Sequence, residues 1–124
     1  MAHSILITVG ELQVEAQLND SETSSKIIED LPLSGSVSTW GDEIYFTIPV
    51  TSALDKEARE VVEIGEIGYW PPGRAFCIFF GETPMSNTGE IRAASPVNII
   101  GTVNGDTGCL KKVNGGDTIK ISKK

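Results

Sequence analysis

The side chains of this protein that could support acid–base, nucleophilic or metal chemistry are few and poorly spaced for it. The single histidine, His3, stands next to the start of the chain. That position predicts a frayed-end residue rather than a ligand or a base. A serine or cysteine nucleophile relying on an imidazole would have to use this same residue. Zinc chemistry needs His, Cys or carboxylate side chains clustered at ligand spacing, and no such cluster occurs. Cys77 lies in the apolar run Ala75-Phe76-Cys77-Ile78-Phe79-Phe80, where a thiol behaves as a small hydrophobe. Cys109 lies in a turn-rich stretch, and nothing in the spacing of the two cysteines indicates a disulfide. Glu57, Glu60, Glu63 and Glu66 read as solvated charge, because a general-base pair needs burial to tune its pKa. Neither of the glycine-rich phosphate-binding patterns is present. The sequence names no catalytic residue and predicts no metal and no cofactor.

What the chain does concentrate is large apolar groups beside prolines. Trp40, Tyr45, Tyr69, Trp70, Pro71, Pro72, Phe80, Pro84 and Met85 recur through its central half. Aromatic rings most often fill a core. The alternative is an exterior groove, apolar with a few polar groups, that takes a peptide or small ligand. Tyr45 falls on the opposite strand face from Ile44, Phe46 and Ile48, and Trp70 directly precedes a Pro-Pro corner. Ala75 to Phe80 is apolar on both faces, so a helix, a loop or a ligand must cover each side. The candidate ligand-binding residues are therefore Trp40, Tyr45, Tyr69, Trp70, Phe80 and Met85 as walls. Glu43, Ser86 and Asn98 would supply hydrogen bonds.

The elements that would position these residues are mostly strands. Ile5, Ile7 and Val9 alternate with Ser4, Leu6 and Thr8, and Leu12, Val14, Ala16 and Leu18 with Glu11, Gln13, Glu15 and Gln17. Gly10-Glu11 between them suits a type II′ turn, which sets Val9 opposite Leu12, Ile7 opposite Val14 and Ile5 opposite Ala16. A helix is expected from about Asp20 to Leu31, with Asn19 and Glu22 at capping-box spacing, Ile27, Ile28 and Leu31 as its apolar stripe, and Pro32 as its stop. Gly41-Asp42 is a second glycine-first turn. It leads into Glu43–Val50, with Ile44, Phe46, Ile48 and Val50 inward and Glu43, Tyr45, Thr47 and Pro49 outward. Residues 53–60 read as loop. Further strands are expected at 61–64, 67–70, 74–80, 97–103 and 118–122, with a Pro-Pro-Gly corner at 71–73, a long surface loop over 81–94 and a short helical turn over 107–113.

Many short strands separated by turns favour a barrel or sandwich, and closure would remove exposed edges. At 124 residues the chain suits a single domain spanning 1–124. Its formal net charge of −7 argues against nucleic acid and anionic membrane as partners. No signal-peptide pattern is seen, and no apolar run approaches the ~20 residues that span a bilayer, so the cytoplasm is the default location.

Several blocks of the sequence resemble the cyclophilin-like domain family of small prokaryotic proteins. They are Thr39-Trp40-Gly41-Asp42-Glu43-Ile44-Tyr45-Phe46, the stretch from Val61 to Gly73, Phe79-Phe80-Gly81 with Thr83-Pro84-Met85-Ser86, and Ala94-Ser95-Pro96-Val97-Asn98 running on to Gly101. Tyr69-Trp70-Pro71-Pro72-Gly73 is the most specific of them, and the resemblance spans nearly the whole chain. It implies a mainly β fold: a closed antiparallel eight-stranded barrel with one or two short capping helices. True cyclophilins catalyse peptidyl-prolyl isomerisation in a groove on the outer barrel surface. They use an arginine in a Phe-His-Arg motif and a later Gln-Gly-Gly-Asp segment. Neither motif occurs here. The expected function is a non-catalytic module that binds a peptide or small molecule. The alternative is a divergent peptidyl-prolyl isomerase, in which Arg74 or Arg92 would be the donor to a twisted amide. Self-association through the aromatic patch is a third possibility.

Overall fold

The structure, a computed structural model, describes residues 3–124. Strands β1 (His3–Val9) and β2 (Leu12–Leu18) form the hairpin read from the sequence. Val9 faces Leu12, Ile7 faces Val14 and Ile5 faces Ala16. Gly10 takes φ +60° while Glu11 does not adopt a positive φ, the combination a type II′ turn requires. His3 is not frayed. It pairs with Leu18 in the ladder, and its Nε2 lies 3.1 Å from Asp20 Oδ1.

Helix α1 (Glu22–Asp30) starts two residues later than expected. Ser21 is the N-cap, its Oγ accepting from the Ser24 N–H. Asn19 instead braces the approach, its Oδ1 accepting from the Ser21 N–H and the Ser24 hydroxyl. Ile27 is buried in the core, and Ile28 and Leu31 pack partly against it.

The remaining strands are β3 (Leu33–Ser36), β4 (Ser38–Thr39), β5 (Glu43–Thr47), β6 (Arg59–Val62), β7 (Glu66–Trp70), β8 (Ala75–Phe79), β9 (Ile91–Val103) and β10 (Thr118–Lys123). The described residues thus form ten strands rather than eight, all paired antiparallel. The hydrogen-bonded order is β3-β10-β1-β2-β9-β7-β8-β5-β4, with β6 on β9 alone. The expected closure is not made, because β3 and β4 are the two ends of this path and no ladder joins them. They are successive pieces of one segment. Through β3 and Val37 the segment bonds to the β10 side, Val37 N–H donating to Asp117 at 2.8 Å. Through β4 it bonds to β5. One segment paired outward in two directions yields two short strands and leaves an open seam. Its Ser-Gly-Ser-Val-Ser-Thr composition carries no apolar alternation by which the strands could be read.

The concave side of the sheet holds the main core, including Ile5, Ile7, Leu18, Ile44, Phe46, Ile67, Tyr69, Phe76, Ile78, Ile100 and Ile121. A second, smaller core lies on the other face of β5, β7 and β8. It joins Val62, Ala75, Cys77, Phe79, Ala93 and Val97, with Tyr45, Trp70, Ile91 and Ile99 partly buried against it. The strand β9 builds this second layer. It starts at Ile91, inside the segment expected to be loop, and runs for 13 residues. Its first half pairs with β6 and its second half with β7 and β2. Between Arg92 and Val97 it advances five residues while β6 advances only from Val61 to Arg59, so Ala93 to Pro96 bulge. Proline is tolerated at such an irregularity. The crossing is close: a Cβ on Gly68 would sit 2.8 Å from Val97 Cγ2.

Candidate functional site

The second layer leaves a cavity of about 240 Å³ between the outer faces of β5, β7 and β8 and the bulge of β9. Its walls are Trp40, Glu43, Tyr45, Trp70, Cys77, Phe79, Ala93, Ala94 and Val97. Strand alternation explains the set. The β5–β8 ladder places Glu43 opposite Phe79 and Tyr45 opposite Cys77, so these four share the face that Ile44, Phe46, Phe76 and Ile78 leave free.

Trp70 is held from two sides. Its Nε1–H donates to Ser95 Oγ at 2.6 Å, which ties it to the bulge. Its six-membered ring rests on Gly73, where a Cβ would approach Cε3 and Cζ3 to 2.9 Å. Residues 71–73 form a 3₁₀ turn that ends with Arg74 at φ 47°. The Trp-Pro-Pro-Gly sequence therefore fixes the ring: prolines turn the chain, and glycine leaves room beneath the indole.

Trp40 and Glu43 flank the Gly41-Asp42 turn, with the Trp40 N–H donating to the Glu43 carbonyl at 2.9 Å. Gly41 has φ +61°, and a Cβ there would meet Glu82 O and Thr83 Cα at 2.8 and 2.9 Å. The loop after β8 thus packs directly on this turn. Asp42 N–H also donates to Glu82 O at 2.9 Å.

Glu43 is the charged group of the walls, and it is only 6% exposed. Expected to face outward, it is buried because the second layer covers its side of β5. Burial pushes its carboxyl up to about 7, opposed in part by the neighbouring Cys77 thiol, which itself donates to the Ala75 carbonyl at 3.7 Å. Cys77 in turn is driven well above the ordinary thiol range, by burial first and then by the neighbouring Glu43. Among the described residues no lysine, arginine or histidine forms an ion pair with Glu43.

The structure gathers Trp40, Glu43, Tyr45 and Trp70 around one cavity and places the other five anticipated residues elsewhere. Tyr69 lies in the main core, its hydroxyl donating to Val50 O at 2.6 Å and accepting from Ser52 N–H at 3.2 Å. Phe80 also faces the main core, since alternation along β8 gives the outer face to Phe79. Met85 is 52% exposed. Ser86 closes the loop after β8, accepting from the Thr83 and Arg92 N–H groups, while Thr83 Oγ1 donates to Arg92 O. Asn98 is fully buried and structural: it accepts from Asp55 N–H and donates to Thr23 Oγ1 and Ala53 O. Neither Arg74 nor Arg92 lines the cavity, and Arg92 is paired with Glu90 and Glu60. Cys77 and Phe79 were missed, although a run apolar on both faces signalled a second covered side. Ala93, Ala94 and Val97 carried no signal beyond a proline one to three residues away.

The arrangement can enclose an apolar group and set one carboxyl against it. Its one thiol, Cys77, is held away from ionisation by burial and by the adjacent Glu43. Among the described residues no group of three or more His, Cys, Asp or Glu side chains is placed to hold a metal ion, and no helix is long and apolar enough to cross a membrane.

A family profile described as Cyclophilin-like matches residues 3–122. The solution structure of a hypothetical protein from Archaeoglobus fulgidus is similar, with 36% sequence identity and a TM-score of 0.85, covering 99% of this chain and 95% of that one. No curated protein matches the chain.

Proposed function

The chain belongs to the cyclophilin-like family, and from that footing we propose that it is a non-catalytic binding module. It holds an apolar group of a small molecule or a peptide side chain in the cavity behind β5, β7 and β8. The observation that carries this reading is the enclosure itself. Four aromatic rings and two small residues surround a space of about 240 Å³, and the β9 bulge and the Trp70–Ser95 bond fix its shape. Rings of this kind give contact area at low entropic cost. The volume lies just below the ~300–1,000 Å³ of drug-sized sites, so one ring or a short branched chain fills it.

The isomerase alternative gains no support from the geometry, because both arginines offered as its donor stand outside the cavity. We place the protein in the cytoplasm, in keeping with its two free cysteines.

Titration with small neutral aromatic fragments, followed by NMR on the two tryptophan indole N–H resonances, tests the binding reading. Saturable shifts of both indoles are expected. Ala94 is exposed at the cavity mouth, and Ala94→Trp should abolish the shifts by blocking entry. Shifts that persist unchanged in Ala94→Trp would place binding elsewhere and overturn the assignment.

A further inference from the structure

The puzzle of the cavity is its acid. Six of the nine lining residues are apolar or aromatic without charge, and a seventh is a protonated thiol; Tyr45 and Glu43 complete the set. A carboxylate removed from water loses hydration that only a paired charge or several hydrogen bonds restores. Glu43 has the Cys77 thiol beside it, which donates to the Ala75 carbonyl, and, among the described residues, no basic partner. The walls do supply the other half of a recognised arrangement: indole and phenol rings attract a cation to their faces.

Resting on the binding reading above, we infer that the cavity selects a small organic ammonium ion, with Glu43 as counter-ion and the rings of Trp40, Tyr45 and Trp70 as the cage around its alkyl groups. The alternatives fit the walls less well. An anion would meet Glu43 without a compensating lysine or arginine, in a chain of formal net charge −7. A metal ion would find one carboxylate and one buried thiol, short of the ligand number that hard or soft cations require. A wholly apolar ligand leaves the carboxyl without a role. An alkylammonium ion answers both surfaces at once, since its charge is spread over apolar substituents that can touch rings and carboxylate together.

Choline serves as the probe, with the neutral alcohol in which carbon replaces the quaternary nitrogen as its control. The two match in shape and differ in charge. Binding is read on both indole N–H resonances at about pH 8, for the wild-type protein and for Glu43→Gln, with probe up to about 20 mM. Choline should bind the wild type at least tenfold more tightly than the alcohol. Glu43→Gln should erase that preference while leaving the alcohol within about twofold of its wild-type affinity. At about pH 5.5 the preference should also shrink, as Glu43 takes up a proton. The other titratable groups on the walls are Tyr45 from β5 and Cys77 from β8, and neither β7 nor the β9 bulge contributes one. Equal or tighter binding of the alcohol would overturn the charge assignment and leave the cavity as a neutral site. Absence of binding by both probes would overturn this inference, while the neutral-fragment titration would still decide the broader reading.

Discussion

Glu43→Gln should make the protein more stable at neutral and alkaline pH, and the size of the effect follows from where the carboxyl sits. In the folded chain burial raises its pKa to about 7, against 4.5 when it is free. Between those values the folded state holds the proton more tightly than the unfolded state does. Stability therefore falls as pH rises through this window, and the cost is complete above about pH 7. At 1.36 kcal/mol per pKa unit the full cost is about 3 kcal/mol. That is a large share of the ~5–15 kcal/mol by which such a domain is stable. Glutamine keeps the shape and cannot ionise. Urea unfolding of the two proteins, followed by tryptophan fluorescence from pH 4 to 8, isolates the term, because titrating groups that do not sense Glu43 cancel in their difference and Cys77, which does, stays protonated in the folded chain. The gap in unfolding free energy should be constant below about pH 4.5 and should widen by about 3 kcal/mol in favour of Glu43→Gln by about pH 8, or roughly 1–3 M in urea midpoint. A gap that does not change with pH would show that Glu43 titrates alike in the two states. The account of its burial behind the second layer would then be wrong.

Three further outcomes follow from particular contacts. Tyr69→Phe leaves the Val50 carbonyl and the Ser52 N–H short of a buried partner, so thermal unfolding should drop by an amount equivalent to about 1–3 kcal/mol, while cavity binding stays unchanged because Tyr69 faces the main core. Gly101→Ala should cost about 2–4 kcal/mol in a urea melt, because a Cβ would run into the Gln17 carbonyl across the β2–β9 ladder; Gly115→Ala, where the nearest atom is Thr39 Oγ1 at 4.0 Å, should be within about 0.5 kcal/mol of wild type. A thiol-specific chromophoric reagent should label Cys109 in the native protein and reach Cys77 only after denaturation, since Cys77 is buried with its thiol pushed well above the ordinary range.

How far the sequence disclosed all this depends on whether a signal was local. The β1–β2 hairpin was legible to the register, because a two-residue turn with glycine first leaves one pairing in which both apolar faces agree. The inward set over 43–50 was legible for the same reason: β5 ends at Thr47 rather than Val50, yet Ile44, Phe46, Ile48 and Val50 all lie in the main core. Helix α1 was legible in kind but not in its first turn, where Asn19 and Ser21 both offer cap oxygens and tertiary contacts choose between them. What stayed hidden was long-range. Glu43 and Phe79 meet only because β5 and β8 pair across more than thirty residues, and nothing near either residue announces that pairing. The start of β9 was hidden by its own bulge, since Pro96 and the alternation broken across 93–96 imitate a loop. Of the aromatic cluster, Tyr45 was recognisable by face and Trp70 by the Pro-Pro corner, while Trp40 stood out only as a ring beside the Gly41-Asp42 turn. Tyr69 and Phe80 belong to the opposite face, one residue away from a correct assignment each.

That one-residue sensitivity is also the reason the cavity exists. A rolled sheet with a single covered face would send the outer side chains of β5, β7 and β8 into water, and selection would make them polar. Here β9 is long enough to finish its ladder with β7 and β2 and to return over the same sheet carrying β6. It buries the outer face without filling it, because the crossing rests on glycine at position 68 and on alanines at 93 and 94 rather than on large side chains. Small residues on the covering strand and rings on the covered one leave a gap that close packing would otherwise eliminate. Placing an ionisable side chain in that gap then costs stability that an apolar residue at position 43 would not. A chain selected only to pack would put leucine or methionine there. The presence of glutamate instead is a cost that the ammonium site proposed above would account for.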